Sequence, residues 1–387
     1  MQAHQRPEYN ILQEDPRPMP DLPQELIVDI LTRLPVKSIL RFRCVSKSWL
    51  CLIASPHFIK SHLTISTKVN NHARHGLLLA PIDAPTELYT CSLYSVLYQR
   101  SPVSAEKVQL PLQSKYPRLS FVGCCNGLVC LSEGSHDLIL FNPSTRKSNV
   151  LPNSGIDVGK FKHMTYGFGY DEVHDDYKLV AVGYSCPYGM NCQTIVNVYS
   201  LRTNSWRNIQ GYEGGFISSC SGVFVNGALH WLVVSEDGSI SSWRIVSLNL
   251  ATETYGEILQ PNYEKGNVAF TPGVLEGNLC VFYNHYEVKF DVWVMKEYGL
   301  KESWTKLACI PYSVNFKGRA SPLFVSEAGE ILLKHDYSLM LYNGKDDIFT
   351  NRDLQMQGAN YPGAAAVYIE SLVSPHIDEV GHKTCAQ

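Results

Sequence analysis

The sequence predicts a mainly β chain with a small α-helical unit at its front, and three observations carry the prediction. Apolar residues recur at helical spacing between Leu22 and Phe58. From Leu77 onward the period is two and turn signals return at short intervals. Trp206, Tyr255 and Trp304 are spaced 49 residues apart, and each is followed three positions later by Ile209, Ile258 or Leu307. A repeat of 45 to 50 residues holding four short strands is the signature of a propeller blade.

Residues 1–20 are polar and proline-dotted and read as a disordered tail, without the apolar core of a signal peptide. Leu26, Ile27, Ile30, Leu31 and Leu34 fall on one face of a first helix that opens at Pro23. Leu34-Pro35 ends it, because proline lacks an N–H and disfavours α geometry in the residue before it. A second helix fits Lys37 to Val45, with Ile39, Leu40 and Phe42 apolar. A third starts at Ser46, a capping residue, carries Trp49, Leu50 and Ile53 on one side, and stops at Pro56.

Three such helices bury too little surface to be secure alone, so their large apolar side chains need cover from elsewhere. Lys37, Arg41, Arg43 and Lys47 stand in residues 36–47 without a single acid. That surface suits an acidic protein partner, with the charges steering encounter. DNA binding is the competing account, but Leu, Ile, Phe and Trp dominate where a DNA reader exposes polar side chains. A helical cap packed on its own downstream domain is the other alternative.

The helical unit is placed at 21–62, a polar linker at 63–76, the β domain at 77–374 and a second disordered tail at 375–387. Blades are expected at about 77–115, 118–152, 161–210, 216–260, 268–312 and 318–356, about six in all. Asn126-Gly127 and Asn226-Gly227 are the strongest hairpin signals, and Glu276-Gly277 occupies the equivalent place. An apolar strand from Ala365 to Val373 is left over to pair with the first blade and close the ring.

Composition narrows the function. A net charge of −3 gives no field to attract nucleic acid, and there is no run of about 18 apolar residues. The chain is expected to be soluble and intracellular, cytoplasmic and/or nuclear. Its 12 cysteines are scattered along the chain, several in apolar runs such as Leu128 to Leu131 and Leu279 to Val281, and read as free buried thiols. No pair has C-x-x-C spacing, no zinc set is present, and no metal, cofactor or catalytic residue is expected. Gly167-Phe168-Gly169 lacks the third glycine and the helix of a dinucleotide loop. Asp175-Asp176 reads as a solvated turn, and Ser235 to Gly238 departs from the Asp-box of sialidase propellers.

Two stretches carry a family resemblance. Leu22-Pro23, Ile30-Leu31, Leu34-Pro35-Val36-Lys37-Ser38 and Arg41-Phe42-Arg43-Cys44-Val45-Ser46-Lys47-Ser48-Trp49 resemble a plant-type F-box. Gly123 to Leu128, Phe141 to Arg146, Tyr166 to Asp171, Asp175 to Lys178, Asp291 to Tyr298 and Glu302 to Trp304 resemble the F-box-associated domain of plant F-box/kelch-repeat proteins. The double glycine of a standard kelch repeat is found once, at Gly214-Gly215, so the propeller is kelch-like. The resemblance implies a non-catalytic substrate receptor: the helices dock a Skp1-type adaptor, which brings the cullin and RING subunits of a ubiquitin ligase, and the propeller holds a client protein. Among plant relatives the motif order is most similar to a branch that limits immune-receptor levels, with pollen self-incompatibility as a second branch. A glycan-reading receptor and a propeller enzyme with a helical cap stand as alternatives.

For docking, the expected residues are Trp49, Leu31, Leu34 and Pro35, supported by Leu22, Pro23, Ile30, Val45 and Ser46. In a four-stranded antiparallel blade the turns after strands 1 and 3 share one face. Here those are tight, whereas the connections after strand 2 and between blades are long and rich in Gly, Pro and aromatics. Long loops on a rigid scaffold carry binding. The client is therefore expected on that second face, at Tyr188, Met190, Tyr212, Phe216, Tyr263, Tyr312 and Phe316.

Overall fold

A computed structural model of the chain describes residues 22–68, 72–99, 102–111, 119–134, 137–161, 163–185, 193–217, 219, 221–234, 243–263, 268–285, 288–312, 320–360 and 362–376. Four helices come first: α1 (Gln24–Thr32), α2 (Val36–Phe42), α3 (Lys47–Ala54) and α4 (Pro56–Lys68). Ser46 caps α3, its Oγ accepting from the Trp49 N–H at 3.1 Å.

The fourth helix departs from the sequence reading, in which Pro56 is a stop and 63–76 a linker. Ser55 Oγ accepts from the Phe58 N–H at 3.3 Å and caps the new helix, and Pro56 suits its first position because an N–H there has no intrahelical acceptor. Its polar residues disguise it because they bond inward. His62 Nε2 meets the Leu34 carbonyl at 3.0 Å, and Ser66 Oγ accepts from Arg74 Nη1 at 2.6 Å. A further short helix, α5 (Leu93–Tyr98), is capped by Ser92, where the sequence shows only strand signals.

The first blade is assembled from both ends of the β domain. Pro362–Ile369 pairs antiparallel with His75–Pro81, in register from His75↔Ile369 to Ala80↔Ala364. Leu88–Ser92 and Val103–Val108 complete it, and Leu354–Met356 adds a parallel strand outside. The closing strand therefore lies slightly ahead of the span 365–373.

Five antiparallel meanders follow within 119–150, 163–209, 221–258, 268–311 and 320–352. Among the described residues pairing makes five sheets rather than six separate ones: one of five strands, three of four and one of nine. The nine-stranded sheet arises because Ser221 and Gly222 pair parallel with Tyr166 and Gly167, joining two meanders at their inner edges. A Cβ on Gly222 would lie 2.4 Å from the Trp231 indole, so only glycine lets this strand approach. The inner strands neighbour one another in a ring, from Pro362–Ile369 to Leu119–Cys125, His163–Asp171, Ser221–Val225, Val268–Leu275, Ala320–Val325 and back.

Two devices recur from blade to blade. After first strands, turns pass through positive φ at Asn126, Asp175, Asn226, Glu276 and Gly329. After third strands they do so at Arg146, Asn204, Glu253, Gly299 and Asp347. The residues at the 49-residue period tie each blade to the one before. Trp206 Nε1 donates to the Pro152 carbonyl at 2.7 Å, Tyr255 Oη to that of Gln210 at 3.1 Å, and Trp304 Nε1 to that of Leu259 at 2.8 Å. Apolar clusters fill the wedges between blades, such as Val180, Val182, Val196 and Val198 against Leu229 and Trp231.

His230 is buried between the fourth and fifth blades. Its Nδ1 donates to the Val223 carbonyl at 3.2 Å, which leaves Nε2 to accept from the Tyr298 hydroxyl at 2.7 Å. Burial pulls its pKa from 6.5 down to about 4. An unfolded chain takes up a proton near pH 6.5 that the folded chain refuses until about pH 4. The stability held by the neutral ring is therefore complete above 6.5 and lost as pH falls toward 4. Chemical unfolding at pH 7 and pH 5 should show His230→Gln losing about 2 kcal/mol less than wild type between the two.

Candidate functional site

The helices have a core of their own. Leu31, Val36, Ile39, Ile53 and Phe58 are buried together, with Trp49 half-buried at their margin and edge-on to Phe42 at 5.6 Å. The sixth buried member is Leu372, from the far end of the chain.

Leu31 is 2% exposed, so it supports the surface from beneath and presents nothing to a partner. That corrects its place among the docking residues. Apolar residues at 26, 27, 30, 31 and 34 span one arc of about 140° on a helix, and spacing alone does not say which edge of that arc the chain keeps for itself. Leu22, Leu26 and Ile30, at steps of four, stay outside at 58%, 49% and 51% exposure, joined by Val45 at 61% and Leu50 at 37%. Pro23, Pro35 and Ser46 are exposed, and Leu34 is half-buried. Leu26 and Leu50, which the sequence places on the apolar faces of their helices but not among the docking residues, belong to this exposed set. Lys37, Arg41 and Lys47 are exposed beside this surface.

The helical unit is anchored on the ring. After the closing strand, Leu372 turns into the helical core while Val373 packs in the core of the second and third blades. Asn142 Nδ2 donates to the carbonyls of Ser371 at 3.1 Å and Val373 at 2.7 Å. Arg74, itself buried, donates from Nη1 to Ser66 Oγ and from Nη2 to the Arg33 carbonyl at 2.5 Å, while its own carbonyl accepts from the Glu370 N–H at 2.8 Å. Lys60 of α4 pairs with Asp175 at 2.5 Å, and Asp175 stands in a tight turn of the third blade. The helices thus sit on the tight-turn face. Strand order puts Ser185, Gln193, Val234 and Arg244, the strand ends beside the long connections, at the opposite face.

Of the seven expected client anchors, Tyr188, Met190 and Phe316 lie outside the described residues. Phe216 is placed by its backbone, paired with Val234. Tyr212, Tyr263 and Tyr312 are half-buried and their hydroxyls are engaged, so they build the walls of this face. Tyr212 Oη donates to Glu257 Oε1 at 3.1 Å, Tyr263 Oη accepts from Trp243 Nε1 at 3.1 Å, and Tyr312 Oη donates to Asn284 Oδ1 at 3.1 Å while its ring stacks on Phe290.

Among the described cysteines seven are free, and Cys51 is disulfide-bonded. Burial pushes the thiols of Cys91 and Cys124 up to about 12, which keeps them protonated.

Comparison with known proteins matches residues 19–61 to the F-box domain and residues 85–375 to the F-box associated beta propeller domain. The F-box/kelch-repeat protein At3g23880 of Arabidopsis thaliana is 32% identical, over 92% of this chain and 96% of its own. F-box protein CPR1 of the same plant is 33% identical, over 80% of this chain and 78% of its own. F-box protein At4g22390, also from Arabidopsis thaliana, is 33% identical over 76% and 75%.

Separate inner and outer apolar sets give a direct test by urea unfolding. Leu31→Ala and Leu372→Ala should each cost about 2 to 5 kcal/mol in the helical unit, as cavities in a closed core do. Leu26→Ser should cost no more than about 1 kcal/mol, because Leu26 is already about half exposed, at 49%.

Proposed function

Since the chain belongs to the plant F-box proteins that carry an F-box-associated β-propeller, we propose that it is the substrate receptor of a Skp1-cullin-F-box ubiquitin ligase. The helices dock the Skp1-type adaptor, and through it the cullin and the RING subunit. The propeller holds a client protein on the face away from the helices. The chain contributes no chemical step of its own: it holds the client near the charged E2 and so raises the effective concentration of the reacting groups.

The observation that carries this reading is the apolar surface left over after the helices have closed their core. Leu22, Leu26, Ile30, Val45 and Leu50 remain in water although Leu31, Ile39, Ile53, Phe58 and Leu372 are packed. Trp49 and Leu34, at the margin, together with Pro23, Pro35 and Ser46, border that surface. Lys37, Arg41 and Lys47 steer an acidic adaptor toward it. Cytoplasm and nucleus are the compartments in which such a ligase meets this receptor, and the family resemblance leaves two client classes open, an immune receptor and a component of pollen self-incompatibility.

Co-expression with a plant Skp1-type protein tests the reading. Leu26→Asp/Ile30→Asp should abolish co-purification of the adaptor with the unfolding midpoint unchanged, because both side chains lie outside the core. Undiminished co-purification, or a wild-type chain that never retains the adaptor, overturns it. Client ubiquitination should vanish with adaptor binding while client capture persists.

A further inference from the structure

Leu22, which belongs to the exposed apolar set of the helices, is also the first described residue. The chain therefore enters the structure at the edge of that surface. Residues 1–21 lie outside the described residues, but their composition is legible in the sequence. Tyr9, Ile11 and Leu12 stand close together, flanked by Glu8, Glu14 and Asp15, and no basic residue falls between Pro7 and Pro16.

That segment is complementary to the helices in charge as well as in polarity. Lys37, Arg41 and Lys47 are exposed beside Leu26, Ile30, Val45 and Leu50. Of the acids in α1, Asp29 is paired with Arg33 at 3.0 Å, which leaves Glu25 to oppose these three cations. Residues 8–15 thus offer the surface the two properties asked of an adaptor, apolar side chains and negative charge.

Distance permits the contact. Leu12 precedes Leu22 by ten residues, a length of chain that spans up to about 33 Å when extended. The surface runs back from Leu22 to Ile30 over about 12 Å of helix. Pro16, Pro18 and Pro20 stop α1 from continuing backward into the segment, because each lacks an N–H and clashes inside a helix. Tyr9 to Leu12 are therefore tethered to α1 without extending it.

We propose that residues 8–15 are the chain's own occupant of this surface, with Tyr9, Ile11 and Leu12 covering Leu26, Ile30, Val45 and Leu50 and the three acids turned toward Lys37, Arg41 and Lys47. The proposal rests on the adaptor reading above and adds a regulation to it: the adaptor has to displace the segment before it docks. A short tether holds the segment at an effective concentration of about 2 mM. Against that concentration, a contact with a dissociation constant of about 1 mM lowers adaptor affinity about threefold.

The test uses the full chain, purified as a monomer without adaptor, with the photo-reactive p-benzoylphenylalanine in place of Tyr9. Irradiation should join position 9 to residues within 22–50 of the same chain, and saturating Skp1-type adaptor should abolish the product. Leu26→Asp/Ile30→Asp should also lose it, with the unfolding midpoint read on the same preparation to show that the protein is folded. In parallel, Tyr9→Ser/Ile11→Ser/Leu12→Ser should bind the adaptor about threefold tighter than wild type by calorimetry. Cross-links that fall on the propeller or join two chains, or equal adaptor affinity of wild type and the triple serine variant, overturn the proposal. If neither form binds the adaptor, the receptor reading fails and the regulation with it, whereas position 9 still reports whether the segment occupies the surface.

Discussion

The structure depends on one short segment near the end of the chain. Pro362–Ile369 supplies the inner strand that closes the first blade. Beyond it the backbone stays extended enough for side chains to alternate, so that Leu372 completes the helical core and Val373 the ring. Asn142 grips this segment by two carbonyls. Closure of the ring and the seating of the helices are therefore one packing event. Three helices of seven to nine residues have little core to spare, and Leu372 with α4 supplies what they lack.

This coupling fixes the helical unit relative to the ring. Helices fixed to the tight-turn face by Lys60–Asp175 and Arg74 leave the opposite face uncovered by the helical unit. Between them stands a ring whose blades are cross-tied by Trp206, Tyr255 and Trp304. In the proposed function, a spacer of this kind would hold an adaptor and a client at a constant separation, which is what proximity catalysis requires.

Much of this was legible along the chain because blades are local structures. The aromatic period marked the inter-blade ties before their acceptors were known, and Asn126-Gly127, Asn226-Gly227 and Glu276-Gly277 marked turns that need positive φ. The same locality failed at α4. His62 and Ser66 read as polar linker because their partners, the Leu34 carbonyl and Arg74, are not neighbours in the helical pattern. It failed again at the join between two meanders, where a two-residue parallel ladder merges sheets that sequence spacing keeps apart.

The exposed apolar surface of the helices shows the division most clearly. Periodicity determined that α1 is amphipathic and that its apolar residues exceed what three short helices can use. It did not determine that Leu31 faces inward and Ile30 outward, because adjacent residues on a helix differ by about 100° and the boundary between the two sides depends on what packs there. Leu372 packs there, brought back across most of the chain by the closing strand. Sequence by itself settled the strands, the turns and the repeat, which follow from local backbone preference and apolar alternation. Which apolar side chains are consumed and which stay exposed was decided only by the tertiary fold, because burial depends on residues distant in sequence.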